Sequence, residues 1–321
     1  MNPRQRFYET LHYGTPDRIP YFEEGIRPEV IAAWMKQGLP SEAALWECFP
    51  TDRREEIKLD TDPHPWFQVW PSTFEELESL RDRYDPADPR RLPENWHPEK
   101  LRARQGILML RVHEGLFLSM GVEDAKTFTR LMYQLTDQPD FVREFMRFQG
   151  EFAAALAEGV LREVEVDALV FSEPIGGNHG ALISPSMYEA LVLPSYEPLL
   201  ALARRYGIKT IICRTYANMK ALIPSLLKWG IDCLWACEVE QSVMSYPVLR
   251  REFGRDLKLI GGIDLDALRT GKAAIRTAIE AIAPLAAEGG YIPVADGRVR
   301  AEVPYENYVY YRELLTEIIT R

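Results

Sequence analysis

Cysteine is scarce in this chain, and where it occurs it is poorly spaced for cross-links. Cys48, Cys213, Cys233 and Cys237 are the only four in 321 residues, too few and too scattered for a disulfide framework. Three residues separate Cys233 from Cys237, not the two of a CxxC redox or zinc-ribbon motif. Reduced core thiols are the expectation. Long apolar runs are missing too: none approaches the ~18 residues of a membrane span, and the opening MNPRQRFYETLHYG has no apolar signal core. The chain is thus expected to be cytoplasmic and free of membranes. No GxGxxG or GxxxxGKS/T loop follows a candidate strand, which weakens the nucleotide-binding folds. A GxSxG elbow, an HExxH pair and an EF-hand loop are likewise absent.

Positive charge is also in deficit. The formal charge is -10, which argues against a nucleic-acid partner while leaving room for a local basic pocket. What the chain has in quantity is apolar material, 46% of its residues, enough for a large core. It recurs in a rhythm of short β-rich run, polar tip and longer amphipathic stretch. The runs are RIPYF (18–22), EIKLD (56–60), ILMLRV (107–112), ALVF (168–171), TIIC (210–213), CLWA (233–236), LKLIGG (257–262) and GYIPV (290–294). Near-continuous apolar runs of this length suit parallel strands buried on both faces.

Between the runs lie helical patterns at 140–164, 183–207, 218–230 and 267–290. The second opens on Ser184–Pro185, a cap followed by proline at the first helical position, and Pro194 and Pro198 are expected to break it into pieces. Eight strand–helix repeats predict an α/β fold in which a parallel sheet closes into a (β/α)₈ TIM barrel. A doubly wound open sheet is the competitor. The chain reads as a single domain over 1–321, with N-terminal excursions. Segment 61–106, rich in Asp, Pro, Arg and Trp, reads as an irregular insertion that is a candidate to pack near the barrel mouth.

Barrel active sites occupy the C-terminal ends of the strands, and almost every run here ends in ionisable residues. RIPYF leads to Glu23, Glu24 and Arg27; EIKLD to Asp60, Asp62 and His64; ILMLRV carries Arg111 and then His113 and Glu114. ALVF leads to Glu173 and the loop PIGGNHG with Asn178 and His179. TIIC leads to Arg214, Tyr216 and Asn218; CLWA to Glu238 and Glu240; LKLIGG to Asp264; GYIPV to Asp296 and Arg298. Charged residues are common wherever strands meet water, so one such residue alone says little, but the set converges on one mouth. Carboxylates held close shift one another's proton affinity, giving a general acid beside a general base. Arginines bind carboxylates or phosphates bidentately and stay charged. His179, flanked by glycine, could shuttle a proton.

At this point the sequence resembles the uroporphyrinogen decarboxylase superfamily nearly end to end. The resemblance lies in PRQRFYETLHYGTPDRIP, LISPSMYEALVLPSYEPLL, NMKALIPSLLKWGIDCLWACE, GGID followed by LRTG, and GGYIPVADGRVRAEVPYENYVYYRELL. It implies a (β/α)₈ barrel with its site at the C-terminal mouth, and it suggests a homodimer. The superfamily holds cofactor-free decarboxylases, whose arginines and aspartate hold a tetrapyrrole, and corrinoid-linked methyltransferases, whose zinc sits on a His-x-Cys pair and a later Cys.

This chain departs from both. The arginine-bearing RQAGR-like string of the decarboxylases should fall near IPYFEEGIRPEV, where only Arg27 remains and Glu23 and Glu24 intrude. The zinc motif should fall on IICRTYAN, where Arg214 and Tyr216 take the histidine and cysteine positions. The later cysteine is replaced near Tyr291. An arginine cannot ligate zinc, and tyrosine is a poor replacement for a thiolate. The expectation is a cofactor- and metal-independent acid/base decarboxylase or lyase acting on a small anionic substrate other than uroporphyrinogen. Glu173, Glu238, Asp264 and Asp296 are the candidate proton carriers, and Tyr216 would steady developing charge. Arg27, Arg111, His113, Asn178, His179, Arg214 and Asn218 are the candidate substrate-binding residues. The alternatives are a methyltransferase served by a corrinoid on a partner protein, and a non-catalytic ligand-binding barrel.

Overall fold

The computed structural model describes residues 1–66, 70–93, 96–237 and 241–320. Three helices, Pro3–Leu11, Pro28–Met35 and Glu42–Cys48, precede the first strand. Among the described residues the main sheet has seven strands: β1 Arg54–Lys58, β2 Ile107–His113, β3 Ala168–Ser172, β4 Ile211–Tyr216, β5 Cys233–Cys237, β6 Lys258–Ile263 and β7 Tyr291–Ala295. They form one sheet in chain order, and every neighbouring pair is parallel. β3, β5, β6 and β7 are buried along their whole length, the expected result of helices covering the outer face.

The sheet is curled. On a flat sheet β1 and β5 would stand about 19 Å apart, four spacings of ~4.8 Å. Yet the Arg54 guanidinium of β1 lies 5.2 Å from the Trp235 ring of β5, and Glu56 of β1 bonds Arg214 of β4 at 2.6 Å. The concave face therefore encloses a lumen, an arrangement compatible with a TIM-like barrel.

The eighth expected strand, 18–22, does not form. Pro20 has no N–H to give to a ladder, and the Tyr21 N–H is taken by the Asp52 carboxylate at 2.8 Å. The segment instead bridges the two edges of the sheet by isolated bonds. The Tyr21 carbonyl accepts from Asp52 beside β1, the Gly25 carbonyl accepts from Val299 beyond β7, and Ile26 pairs singly with Val299.

Proline segments the 183–207 stretch as its chemistry requires. Ser184 caps the turn Pro185–Met187, a wider turn spans Tyr188–Val192, a tight one Leu193–Tyr196, and α-helix resumes at Glu197–Arg205. Pro194 cannot bond the Ala190 carbonyl four residues back, and the Arg143 guanidinium takes that carbonyl at 3.2 Å. Between β1 and β2, short helices at Phe74–Leu80 and Pro98–Arg102 interrupt the chain. Trp66 and Trp70 from this stretch line a cavity of about 230 Å³ together with Lys58 and Glu114, at the C-terminal ends of β1 and β2. Among the described residues no helix is long and apolar enough to cross a membrane.

Candidate active site

Alternation along the strands decides which polar groups reach the lumen. On β1 the sequence RREEIK puts Arg54, Glu56 and Lys58 on one face. Glu56 accepts two bonds from Arg214, Nη1 to Oε1 at 3.0 Å and Nη2 to Oε2 at 2.6 Å. Arg54 bonds the same carboxylate at 3.1 Å, and Arg111 stands 3.7 Å from it. Trp235 lies beneath, with the Arg214 guanidinium 4.4 Å from its ring. Three guanidiniums thus crowd one carboxylate. Burial works against the Glu56 charge, but the bonds and charge of Arg214 outweigh it with help from Arg54 and Arg111, so its proton affinity falls below that of an ordinary carboxylate. The Glu56 carboxylate is therefore ionised.

Above this layer a cavity of about 320 Å³ opens at the mouth, lined by Glu24, Arg27, Tyr216, Cys237, Gly297, Arg298 and Arg300. Tyr216, on the last residue of β4, is 41% exposed. Burial, Cys237 and Glu24 all hold its phenol proton more tightly than usual. Arg298 has no hydrogen bond or ion pair among the described residues. One carboxylate oxygen of Glu24 is buried without a hydrogen-bond partner. Arg27 ends the segment leading into helix Pro28–Met35 and faces Glu29 at 3.8 Å. Among the described residues the mouth is a cationic pocket with one acid and one phenol.

The remaining candidates separate by location. Glu173 is fully buried on the helix side of the sheet. It accepts the Leu116 N–H at 3.0 Å and the Tyr196 hydroxyl, and burial raises its pKa to about 7. His113 lies on that side as well, because a register irregularity between Arg111 and His113 reverses the alternation. Its ring is 4.7 Å from that of Tyr196. The Gly115 N–H donates to its Nδ1 at 2.9 Å, which puts the proton on Nε2, and burial lowers its pKa to about 3. Asp264 and Asp296 both serve the start of the short helix Leu265–Thr270. They accept from the Asp266 N–H at 2.8 Å and the Leu265 N–H at 3.1 Å respectively. Asn218 accepts from the Lys220 N–H at 3.1 Å. Asn178 and His179 are exposed at the tip of a hairpin that pairs Gly176–Gly177 with Gly180–Ala181. Glu238 lies outside the described residues.

Of the twelve candidates, the mouth cavity gathers Arg27 and Tyr216, and the lumen layer gathers Arg111 and Arg214. Arg54 and Glu56 are not reached by sequence reasoning from strand ends, because they stand at the start and middle of β1. The signal was present in RREEIK, where charges on alternate positions cannot all face an apolar helix layer.

A zinc site does not suit these groups. Arg214 is permanently charged and engaged with Glu56, Tyr216 offers a phenol, and among the described residues no three His, Cys, Asp or Glu side chains gather at ligand spacing. Against known proteins, the family model for uroporphyrinogen decarboxylase (URO-D) matches residues 117–315, more than half of the chain. The chain belongs to the uroporphyrinogen decarboxylase family. No curated protein matches it. Among solved structures, a methyltransferase from Methanosarcina mazei is similar over 99% of each chain with a TM-score of 0.65, at 14% identity, which is a likeness of fold.

Proposed function

We propose that the protein is a metal-independent carboxy-lyase acting on a small anionic substrate at the barrel mouth. The observation that carries this reading is the mouth cavity, where Arg27, Arg298 and Arg300 surround Glu24 and Tyr216. Its volume of about 320 Å³ stands at the low end of the ~300–1,000 Å³ usual for ligand pockets. That suits a small acid better than a tetrapyrrole. Arg298, with no partner of its own among the described residues, would clamp a substrate carboxylate. Loss of CO₂ breaks the carbon–carboxylate bond and leaves its electron pair on the substrate carbon. Tyr216 would deliver the proton that this carbon takes up, its phenol being kept protonated by burial and by Cys237 and Glu24. The guanidiniums of the lumen would steady the negative charge that builds up meanwhile.

The test is CO₂ release from a panel of small di- and tricarboxylic acids. Arg298→Ala should raise KM by about 10–100-fold, the worth of one charge-assisted hydrogen bond. Tyr216→Phe should lower kcat by about 100-fold or more and leave KM in place. Variants that turn over at the wild-type rate would remove these residues from the reaction. Appearance of cob(I)alamin from methylcobalamin would favour methyl transfer with a partner corrinoid protein, the chemistry for which the zinc donors do not fit.

A further inference from the structure

We propose that the Arg54, Arg111 and Arg214 cluster is a carboxylate seat in the lumen, which Glu56 occupies in the resting protein and which a substrate carboxylate takes over on binding. This deepens the reading of the mouth as an anion site and rests on it.

The geometry is that of a ligand already bound. Glu56 receives both terminal nitrogens of Arg214 in a fork, plus Arg54 on the same oxygen as one of them, the arrangement by which guanidinium binds a free carboxylate. The cluster also has more donors than Glu56 can use. Nε of Arg214, Nε of Arg111 and Nε1 of Trp235 are all buried without a hydrogen-bond partner, and an unmet buried donor is costly. The Arg214 side chain is only 7% exposed, so its spare N–H is a buried donor open to a group that enters the lumen.

Charge points the same way. Three guanidiniums stand within ion-pair distance of the single Glu56 carboxylate. Glu114 joins them only by dividing itself between Arg111 at 3.6 Å and Lys58 at 3.4 Å. Glu56 remains reachable, with 19% of its side chain exposed. An incoming carboxylate can therefore meet the spare donors first and then displace Glu56 from Arg214, exchanging one ion pair for another with no net loss of pairing.

The experiment uses Glu56→Ala and the near-isosteric Glu56→Gln, with sodium formate and sodium acetate as probes and sodium chloride at matched ionic strength as control. Both variants should unfold at a lower temperature than wild type. Formate or acetate should restore stability saturably, by about 5 °C at a hundredfold excess over the dissociation constant, where chloride does not. Wild type, whose seat is filled, should bind the probes at least about 10-fold more weakly. Glu56→Ala combined with Arg214→Ala should lose the rescue. If acetate and chloride act alike on both single variants, or if wild type responds as they do, the seat is wrong. The readout is unfolding rather than turnover, so failure here leaves CO₂ release as an independent test of the lyase chemistry.

Discussion

Glu173 and His113 share one apolar pocket behind β3, and their protons pull in opposite directions. The folded state raises Glu173 from 4.5 to about 7, so it binds that proton more tightly than the unfolded chain does, and stability falls as pH rises across that interval. It lowers His113 from 6.5 to about 3, so stability falls as pH drops below 6.5. Between pH 4.5 and 6.5 the two slopes offset one another in the wild type. Each single variant should expose its partner. Glu173→Gln should lose about 1.4 kcal/mol of stability per pH unit as pH falls below 6.5, the His113 slope alone. His113→Gln should lose a similar amount per unit as pH rises from 4.5 to 7. Urea unfolding across this range reads both, and parallel profiles for wild type and the two variants would refute the opposing slopes. A sequence reader sees an ionisable residue at a strand end and assigns it to the mouth. Nothing in HEGLF or SEPIG announces the one-residue irregularity in β2, or Tyr196, whose hydroxyl bonds Glu173 and whose ring packs on His113.

At the scale of elements, the site depends on how closely the hairpin after β3 packs against the end of β4. Gly177 accepts the Asn218 N–H at 3.1 Å. A Cβ on Gly176 would fall 2.2 Å from the Tyr216 carbonyl oxygen, a backbone atom that cannot swing away. Ala217 next to it takes a left-handed conformation with φ of 55°, which lets the chain turn sharply just beyond the phenol. Gly176→Ala should therefore cost about 1–3 kcal/mol, as overpacking does, and should move Tyr216 from the mouth. Denaturant unfolding and turnover should both fall; unchanged values in both would show that the hairpin does not position the tyrosine. Local chemistry made much of this level readable in advance. Pro194 breaks its helix where expected, and the apolar runs from EIKLD onward become strands, although β1 begins at Arg54 and β4 runs on through Tyr216. RIPYF misled because an apolar run with aromatic residues resembles a strand even when a proline inside it has no N–H to offer.

On the scale of the whole molecule, a chain with a formal charge of -10 places arginines where acids would be expected, in the lumen and around the mouth. Arg54 and Arg214 are largely buried in the lumen, so their charges act at lower dielectric and count for more there than the surplus of surface carboxylates. This contrast was legible only in outline. Arg214 and Tyr216 in place of zinc ligands stood out in IICRTYAN, but Arg54, Glu56 and Trp235 join them only once the sheet curls and brings β1 across to β4 and β5. The central claim is that this cationic mouth removes CO₂ from a small acid without a metal. The most direct measurement incubates the wild-type protein, in the presence of EDTA, with the acid panel and with methylcobalamin in parallel. The account predicts CO₂ release from at least one acid and an unchanged methylcobalamin spectrum; cob(I)alamin formation with no CO₂ from any acid would contradict it.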